Sequence, residues 1–102
     1  MMEGRPVKFR LLEYLHEHGT VWNYDLIRAV MDEYGMKSDY ERDCLNFDLI
    51  ELAASGFIEE VSIELDTEGK VRKDRAIFEY RISSAGETEY QWLVSNIGGV
   101  EP

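Results

Sequence analysis

The chain has 102 residues, a length that fits one domain. Its composition is that of a globular protein, because 44% of the residues are hydrophobic and 12% are aromatic. The apolar stretches are far shorter than the roughly 20 residues that span a bilayer, and residues 1–19 contain no secretory apolar segment. The single cysteine, Cys44, has no internal disulfide partner. We therefore expect a cytoplasmic protein without a membrane span.

The formal net charge is −10 at pH 7, and a uniformly acidic surface would repel the phosphates of nucleic acids. The charge is not uniform along the chain. Residues 39–68 carry ten acidic and one basic side chain, whereas residues 69–82 carry five basic and two acidic ones. An acidic block is thus followed by a short basic block, and this basic block can contact phosphates despite the negative net charge.

Apolar spacing predicts two helices in the first third of the chain. The first covers about residues 6–18, and residues 20–22 that follow are long enough only for a brief strand. Asn23 is a suitable N-cap for the second helix, which ends at Gly35. The apolar stripe of the second helix consists of Leu26, Ile27, Val30, Met31 and Tyr34.

A third helix begins at a capping box formed by Ser38 and Glu41 and continues to Gly56. The break between the second and third helices is only about three residues, which predicts a helix-turn-helix unit over about residues 23–55. The apolar face of the third helix consists of Leu45, Leu49 and Leu52. A separate arc consists of Tyr40, Cys44, Phe47 and Ala54. We expect this arc to pack in the core, with contact to another chain as the alternative.

Beyond the third helix, the apolar period changes from that of a helix to that of a strand. Alternating apolar and polar residues predict a β-hairpin over about residues 58–82, with a long tip at residues 66–74. Ser84 to Glu87 has a second capping-box pattern, which opens a last helix over about residues 84–97. No repeat or linker interrupts the chain, so residues 1–102 are predicted to form a single α+β domain.

Two stretches carry the signature of a known family. One joins the third helix to the hairpin and reads Leu49-x-x-Leu52-x-x-x-Gly56-Phe57-Ile58-Glu59. The other joins the hairpin to the last helix and reads Phe78-Glu79-Tyr80-Arg81-Ile82-Ser83-Ser84-Ala85-Gly86. With the order of elements, they resemble the winged helix-turn-helix family of transcriptional regulators, especially its small PadR-like and MarR-like members. The resemblance implies a three-helix core, a two-stranded wing and a C-terminal helix, with the third helix in the major groove of DNA.

Candidate DNA-binding residues lie on the third helix and at the hairpin tip. Arg42 and Asn46 suit guanine and adenine edges, although five carboxylates share their helix, where the family usually has a basic one. The tip carries Lys70, Arg72, Lys73 and Arg75, which suit phosphates or a minor groove. We therefore expect double-stranded DNA to be bound, with the wing as the main phosphate anchor. The alternative for the tip is pairing with the preceding acidic strand.

The last helix carries candidates for a dimer interface. They are Tyr90, Trp92, Leu93 and Ile97, which would have few partners in a minimal winged helix. A corresponding helix often forms a dimer in the family that the chain resembles, so a homodimer is predicted. Packing of this helix on the first helix is the alternative.

No catalytic or metal site is predicted. His16 and His18 are two residues apart on a helix and therefore point to different sides, and paired cysteines are absent. We expect no enzyme activity and no cofactor. The predicted function is that of a DNA-binding transcriptional regulator. The alternative function is an interaction module whose acidic third helix binds a basic protein. A third possibility is that the acidity is an adaptation to a salt-rich cytoplasm.

Overall fold

The computed structural model describes residues 6–69 and 74–96. Within these residues the fold is α+β, with four helices and a three-stranded antiparallel sheet. In chain order the elements are α1 (Val7–His18), β1 (Val21–Trp22), α2 (Asn23–Tyr34), α3 (Asp39–Ala54), β2 (Ile58–Leu65), β3 (Ala76–Ile82) and α4 (Ser84–Asn96). The predicted class and order of elements are confirmed, and the layout is compatible with a winged helix. None of the described helices is long and apolar enough to cross a bilayer.

The sheet has three strands, because the brief strand expected near residues 20–22 joins the predicted two-stranded hairpin. The strand order is β1-β3-β2, so β3 lies in the centre and the hairpin of β2 and β3 forms as predicted. The brief strand β1 pairs with the other edge of β3 through Val21 opposite Tyr80 and Trp22 opposite Glu79. This pairing satisfies backbone groups of β3 that would otherwise belong to an open edge of the sheet.

The core lies between the first three helices and the sheet. Its fully or almost fully buried members are Leu11, Leu12, Leu15, Leu26, Ile27, Val30, Leu45, Leu49, Leu52, Ile58 and Tyr80. The predicted leucine face of α3 is thus confirmed as its buried face. Apolar burial of this kind is the main stabilising contribution in so small a domain.

The start of α3 is a complete capping box, as predicted. The Ser38 hydroxyl accepts a hydrogen bond from the Glu41 N–H at 3.0 Å, and the Glu41 carboxylate accepts one from the Ser38 N–H at 3.0 Å. Hydrogen bonds from the backbone of Ser38 and Lys37 lower the pKa of Glu41. The box holds the short turn against the first turn of α3.

The predicted N-cap of α2 was wrong. Trp22 occupies the cap position, and Asn23 is the first residue of the helix. The Asn23 side chain is buried and accepts a hydrogen bond from the Phe78 N–H at 3.2 Å. Asn23 therefore joins α2 to β3 instead of satisfying the helix end.

The predicted cap of α4 was wrong by one residue. Ser83, not Ser84, accepts a hydrogen bond from the Gly86 N–H at 3.0 Å through its hydroxyl, and it also donates one to the Gly56 carbonyl oxygen at 2.5 Å. Glu87, the other residue of the predicted capping box, contacts His16 on α1 through its carboxylate. A single serine thus ties the start of α4 to the segment that follows α3.

Candidate nucleic-acid interface

A cleft between α3 and the hairpin brings three of the predicted DNA-binding residues together. Arg42 and Asn46 on α3 line the cleft, and so does Arg75, which is the residue immediately before β3. The cavity measures about 170 Å³, and its remaining lining consists of Asn23, Ile27, Asp43, Ala76 and Phe78. The two regions that the sequence nominated separately therefore share one concave surface.

Backbone hydrogen bonds hold Arg75 at the end of the hairpin ladder. The last cross-strand pair is Leu65 with Ala76, and beyond it the Asp66 N–H donates to the Arg75 carbonyl oxygen at 2.7 Å. Asp74 adopts a left-handed φ of 67° and donates its N–H to the Asp66 carbonyl oxygen at 2.8 Å. Asp tolerates this conformation better than most residues, which allows the chain to enter β3 with an exposed Arg75 side chain.

Arg42 is partly neutralised by its neighbours. Its Nη1 lies 3.4 Å from Oδ1 of Asp39, and its Nε lies 3.8 Å from Oδ1 of Asp43. The side chain is 29% exposed. A guanine edge would have to compete with both carboxylates for the guanidinium, so Arg42 is a weaker base-reading group than its residue type implies.

The remaining carboxylates of α3 have different surroundings. Glu41 belongs to the capping box, and Glu51 pairs with Lys8 on α1, with 2.8 Å between Oε1 and Nζ. Asp48 is partly buried, and burial raises the pKa of its carboxyl group. Asp39 and Asp43 are therefore the two carboxylates of α3 that set the charge around Arg42.

Three of the other Lys and Arg side chains among the described residues form ion pairs. The pairs are Lys8 with Glu51, Arg81 with Glu59, and Arg10 with Glu33. By contrast, Arg28 on α2, Lys37 in the turn before α3 and Arg75 form no ion pair with another described residue. All three are exposed. Within residues 6–69 and 74–96, uncompensated positive charge thus lies on α2, in the turn between α2 and α3, and at the hairpin.

Four predicted site residues lie outside the described residues. They are Lys70, Arg72 and Lys73, predicted for the hairpin tip, and Ile97, predicted for the last helix. Their predicted roles in DNA binding and in dimerisation stay predictions.

The histidines of α1 contact other parts of the chain. Nδ1 of His16 lies 2.7 Å from Oε1 of Glu87 on α4, and Nδ1 of His18 lies 2.9 Å from the Tyr14 carbonyl oxygen. In the described part of the chain, no three His, Cys, Asp or Glu side chains are grouped so that they could hold a metal ion.

No family model, curated protein or solved structure matches this chain.

The candidate dimer residues of α4 differ in their exposure. Tyr90 stacks on His16 with ring centroids 4.3 Å apart, and its hydroxyl donates to Oε2 of Glu13 at 3.3 Å. Leu93 is half-buried and lines an apolar cavity of about 300 Å³ between α1, the end of α3 and α4. Trp92 is 55% exposed. The helix packs on α1, as in the alternative above, and among the described candidates it leaves Trp92 available to a second copy.

The second arc of α3 is exposed, so the expectation that it packs in the core was wrong. Tyr40 is 76% exposed and Phe47 58%, and Cys44 and Ala54 are also exposed. The leucine face on the opposite side of the helix already fills the space against α1, α2 and the sheet. The sequence does show an apolar arc on each side of α3, but the pattern alone does not tell which of the two arcs is buried.

Proposed function

We propose that this protein is a cytoplasmic winged helix-turn-helix regulator of transcription that binds double-stranded DNA. In this proposal α2 and α3 form the helix-turn-helix unit, and the hairpin of β2 and β3 is the wing. The observation that carries it is the position of Arg75, which is exposed, makes no ion pair with another described residue and lines one cleft with Arg42 and Asn46. A duplex seated against this cleft meets the wing and α3 together.

The wing is proposed to be the main anchor, and α3 a weak reader of bases. Arg75 stands next to the three cations of the hairpin tip in the sequence, and phosphate contacts from such a group add affinity without sequence information. Arg28 and Lys37 are proposed to contact the backbone on the other side, since the first helix of such a unit crosses the DNA backbone. Binding is therefore expected to be strongly salt-dependent and weakly selective for sequence.

Fluorescence anisotropy with a labelled random duplex at about 50 and 200 mM salt tests this proposal. Arg75→Ala is expected to weaken binding and to lower the salt slope by about 0.9, the value for one lost phosphate contact. Arg81→Ala is the matched control, because Arg81 lies on the same hairpin but pairs with Glu59 at 2.9 Å. Absence of binding by the wild type at the lower salt concentration, or equal losses in both variants, would refute the proposal.

The regulator is proposed to act as a homodimer through α4, which would place two wings on one duplex. The exposed indole of Trp92 supports this part of the proposal. Sedimentation equilibrium should show that Trp92→Ala shifts the wild-type dimer towards monomer without changing the unfolding midpoint, whereas Gln91→Ala, an exposed neighbour, should leave the dimer unchanged. A wild-type protein that stays monomeric at all concentrations would exclude the dimer.

A further inference from the structure

The side of α3 that points away from the core is an exposed apolar surface. We call it the outer face of α3 and define it by Tyr40, Cys44, Phe47 and Ile50. These residues follow one another at intervals of four, three and three, so their side chains form one continuous stripe along the helix. Three of them are large and at least half exposed, with Ile50 the least exposed at 50%. A contiguous apolar patch on a small monomer is typical of an interaction site.

The outer face is separate from the side of α3 that faces the wing. Arg42 and Asn46 line the cleft, whereas Tyr40 and Phe47 do not. Tyr40 and Cys44 contact each other along the stripe, and the hydrogen bond to Cys44 raises the pKa of the Tyr40 hydroxyl. The protein can therefore use this stripe while the wing contacts another molecule.

Carboxylates lie along one edge of the outer face and at its C-terminal end. Asp39 and Asp43 follow the edge near the cleft. Glu51, four residues after Phe47, continues the stripe towards the end of α3, where it pairs with Lys8. All three side chains are accessible, with Asp39 the most exposed at 85%. The surface thus combines an apolar centre with a negative rim along one edge and one end.

We propose that the outer face of α3 docks a basic amphipathic helix of another protein. The apolar stripe of the outer face matches a partner that presents its own apolar residues at positions i, i+3, i+4 and i+7. The carboxylates along its edge and at its C-terminal end complement lysines and arginines that flank the partner's apolar stripe. This inference goes beyond DNA binding, since it assigns α3 a protein partner while the wing supplies the phosphate contacts.

Two other occupants fit the charge of this surface less well. DNA would bring its phosphates against Asp39, Asp43 and Glu51, where like charges repel. A second copy of the chain would bring two such rims together, and like-charge contacts across an interface oppose association. The opposite charge of a basic partner removes both penalties.

The probe for this proposal is a synthetic helical peptide of about 18 residues, or five turns, with leucines on one face and lysines elsewhere. A second peptide with every lysine replaced by glutamate is the matched control. Titration into the full-length wild-type protein, followed by amide chemical shifts and by anisotropy of the labelled peptide, gives the site and the affinity. We expect the lysine peptide to bind with its largest shifts at the outer face of α3, and the glutamate peptide not to bind.

Variants then separate docking at this face from general attraction to an acidic protein. Phe47→Ala is expected to weaken binding about tenfold, and Asp39→Asn with Asp43→Asn to weaken it and to flatten its salt dependence. Ile63→Ala is the control, because Ile63 on β2 is an apolar residue as exposed as Phe47, at 58%. If Phe47→Ala alters the fold, Tyr40→Ala serves in its place.

Several outcomes would overturn the proposal. Wild-type affinity of Phe47→Ala, an equal loss in Ile63→Ala, or shifts spread over the whole acidic surface would show that the outer face has no specific role. Duplex DNA that shifts Tyr40 and Phe47 would assign the face to DNA, and a wild-type dimer abolished by Phe47→Ala would assign it to a second copy. The peptide assay contains no DNA, so failure of DNA binding would leave its result unaffected.

Discussion

The guanidinium group of Arg10 donates two parallel hydrogen bonds to the carboxylate of Glu33, from Nε to Oε1 at 2.7 Å and from Nη2 to Oε2 at 2.8 Å. This pair joins α1 to α2, and Nη1 of Arg10 also donates to Glu13 at 3.1 Å and to Glu17 at 2.9 Å. Arg10 is buried, and the hydrogen bond with Glu33 raises the pKa of its guanidinium. One cation thus satisfies three carboxylates within the helical layer.

Loss of the Arg10 side chain is expected to be strongly destabilising. Arg10→Ala leaves the carboxylates of Glu33 and Glu13 without their cation in a poorly solvated place, which should lower the free energy of unfolding by about 3 kcal/mol. Urea unfolding at pH 7 measures this change. Arg28→Ala is the control, because Arg28 is exposed on α2, and its effect should stay within about 0.5 kcal/mol. Similar losses in both variants would contradict a special role for Arg10.

The same pair predicts a loss of stability in acid. The hydrogen bond from Arg10 lowers the pKa of Glu33 below its ordinary value of 4.5 in the folded protein. The ionised carboxylate therefore contributes its full stability above pH 4.5, and this contribution disappears as the pH falls through the lower folded-state pKa. In urea titrations from pH 7 into this acid range, Glu33→Gln should show a shallower decline of stability than the wild type. Parallel curves would show that Glu33 does not contribute to the acid sensitivity.

The cap of α4 can be tested with two adjacent serines. Ser83→Ala removes both the acceptor for the Gly86 N–H and the donor to the Gly56 carbonyl oxygen, so we expect a loss of about 1–2 kcal/mol in the free energy of unfolding. Ser84→Ala, at an exposed position one residue later, should change it by less than about 0.5 kcal/mol. Thermal and urea unfolding measure both. A larger effect at Ser84 would indicate that Ser84 caps α4, as the sequence pattern predicted.

Gly86 should respond to substitution with the opposite sign to an ordinary helical glycine. Glycine to alanine in a helix usually stabilises by up to about 1 kcal/mol. A Cβ atom on Gly86, however, would overlap the backbone carbonyl oxygen of Phe57, which cannot move away as a side chain would. We expect Gly86→Ala to destabilise by about 1–3 kcal/mol in urea unfolding, while Gln91→Ala on the exposed side of α4 should be nearly neutral. A stabilised Gly86→Ala variant would show that α4 does not pack this closely.

Neutralising Asp43 is expected to strengthen DNA binding. Asp43 lines the cleft and lies 3.8 Å from the Nε of Arg42, so Asp43→Asn removes one repulsive charge and releases part of the guanidinium. The expected gain is about threefold, the scale of one exposed ion pair. Anisotropy titrations should show a smaller change for Glu59→Gln, whose partner Arg81 does not line the cleft. Weaker binding by Asp43→Asn would mean that the carboxylate itself contacts DNA.

Local patterns were sufficient for much of this protein. The bounds of α3 and its capping box follow from contacts between residues three or four apart, which the order of residues already specifies. The nomination of Arg42, Asn46 and Arg75 followed from residue type and element order. The ion pair of Arg42 with Asp39 also has a helical spacing of three and was readable from the sequence.

The features that the sequence left open depend on partners far along the chain. Ser83 instead of Ser84 caps α4, because the Gly56 carbonyl oxygen lies 27 residues away in sequence and is reached only in the folded chain. Asn23 bonds to a strand 55 residues further on instead of capping its own helix. Periodicity determined that α3 has two apolar arcs, but only the packing of the other elements decided that the leucine arc is covered and that Tyr40 and Phe47 remain exposed.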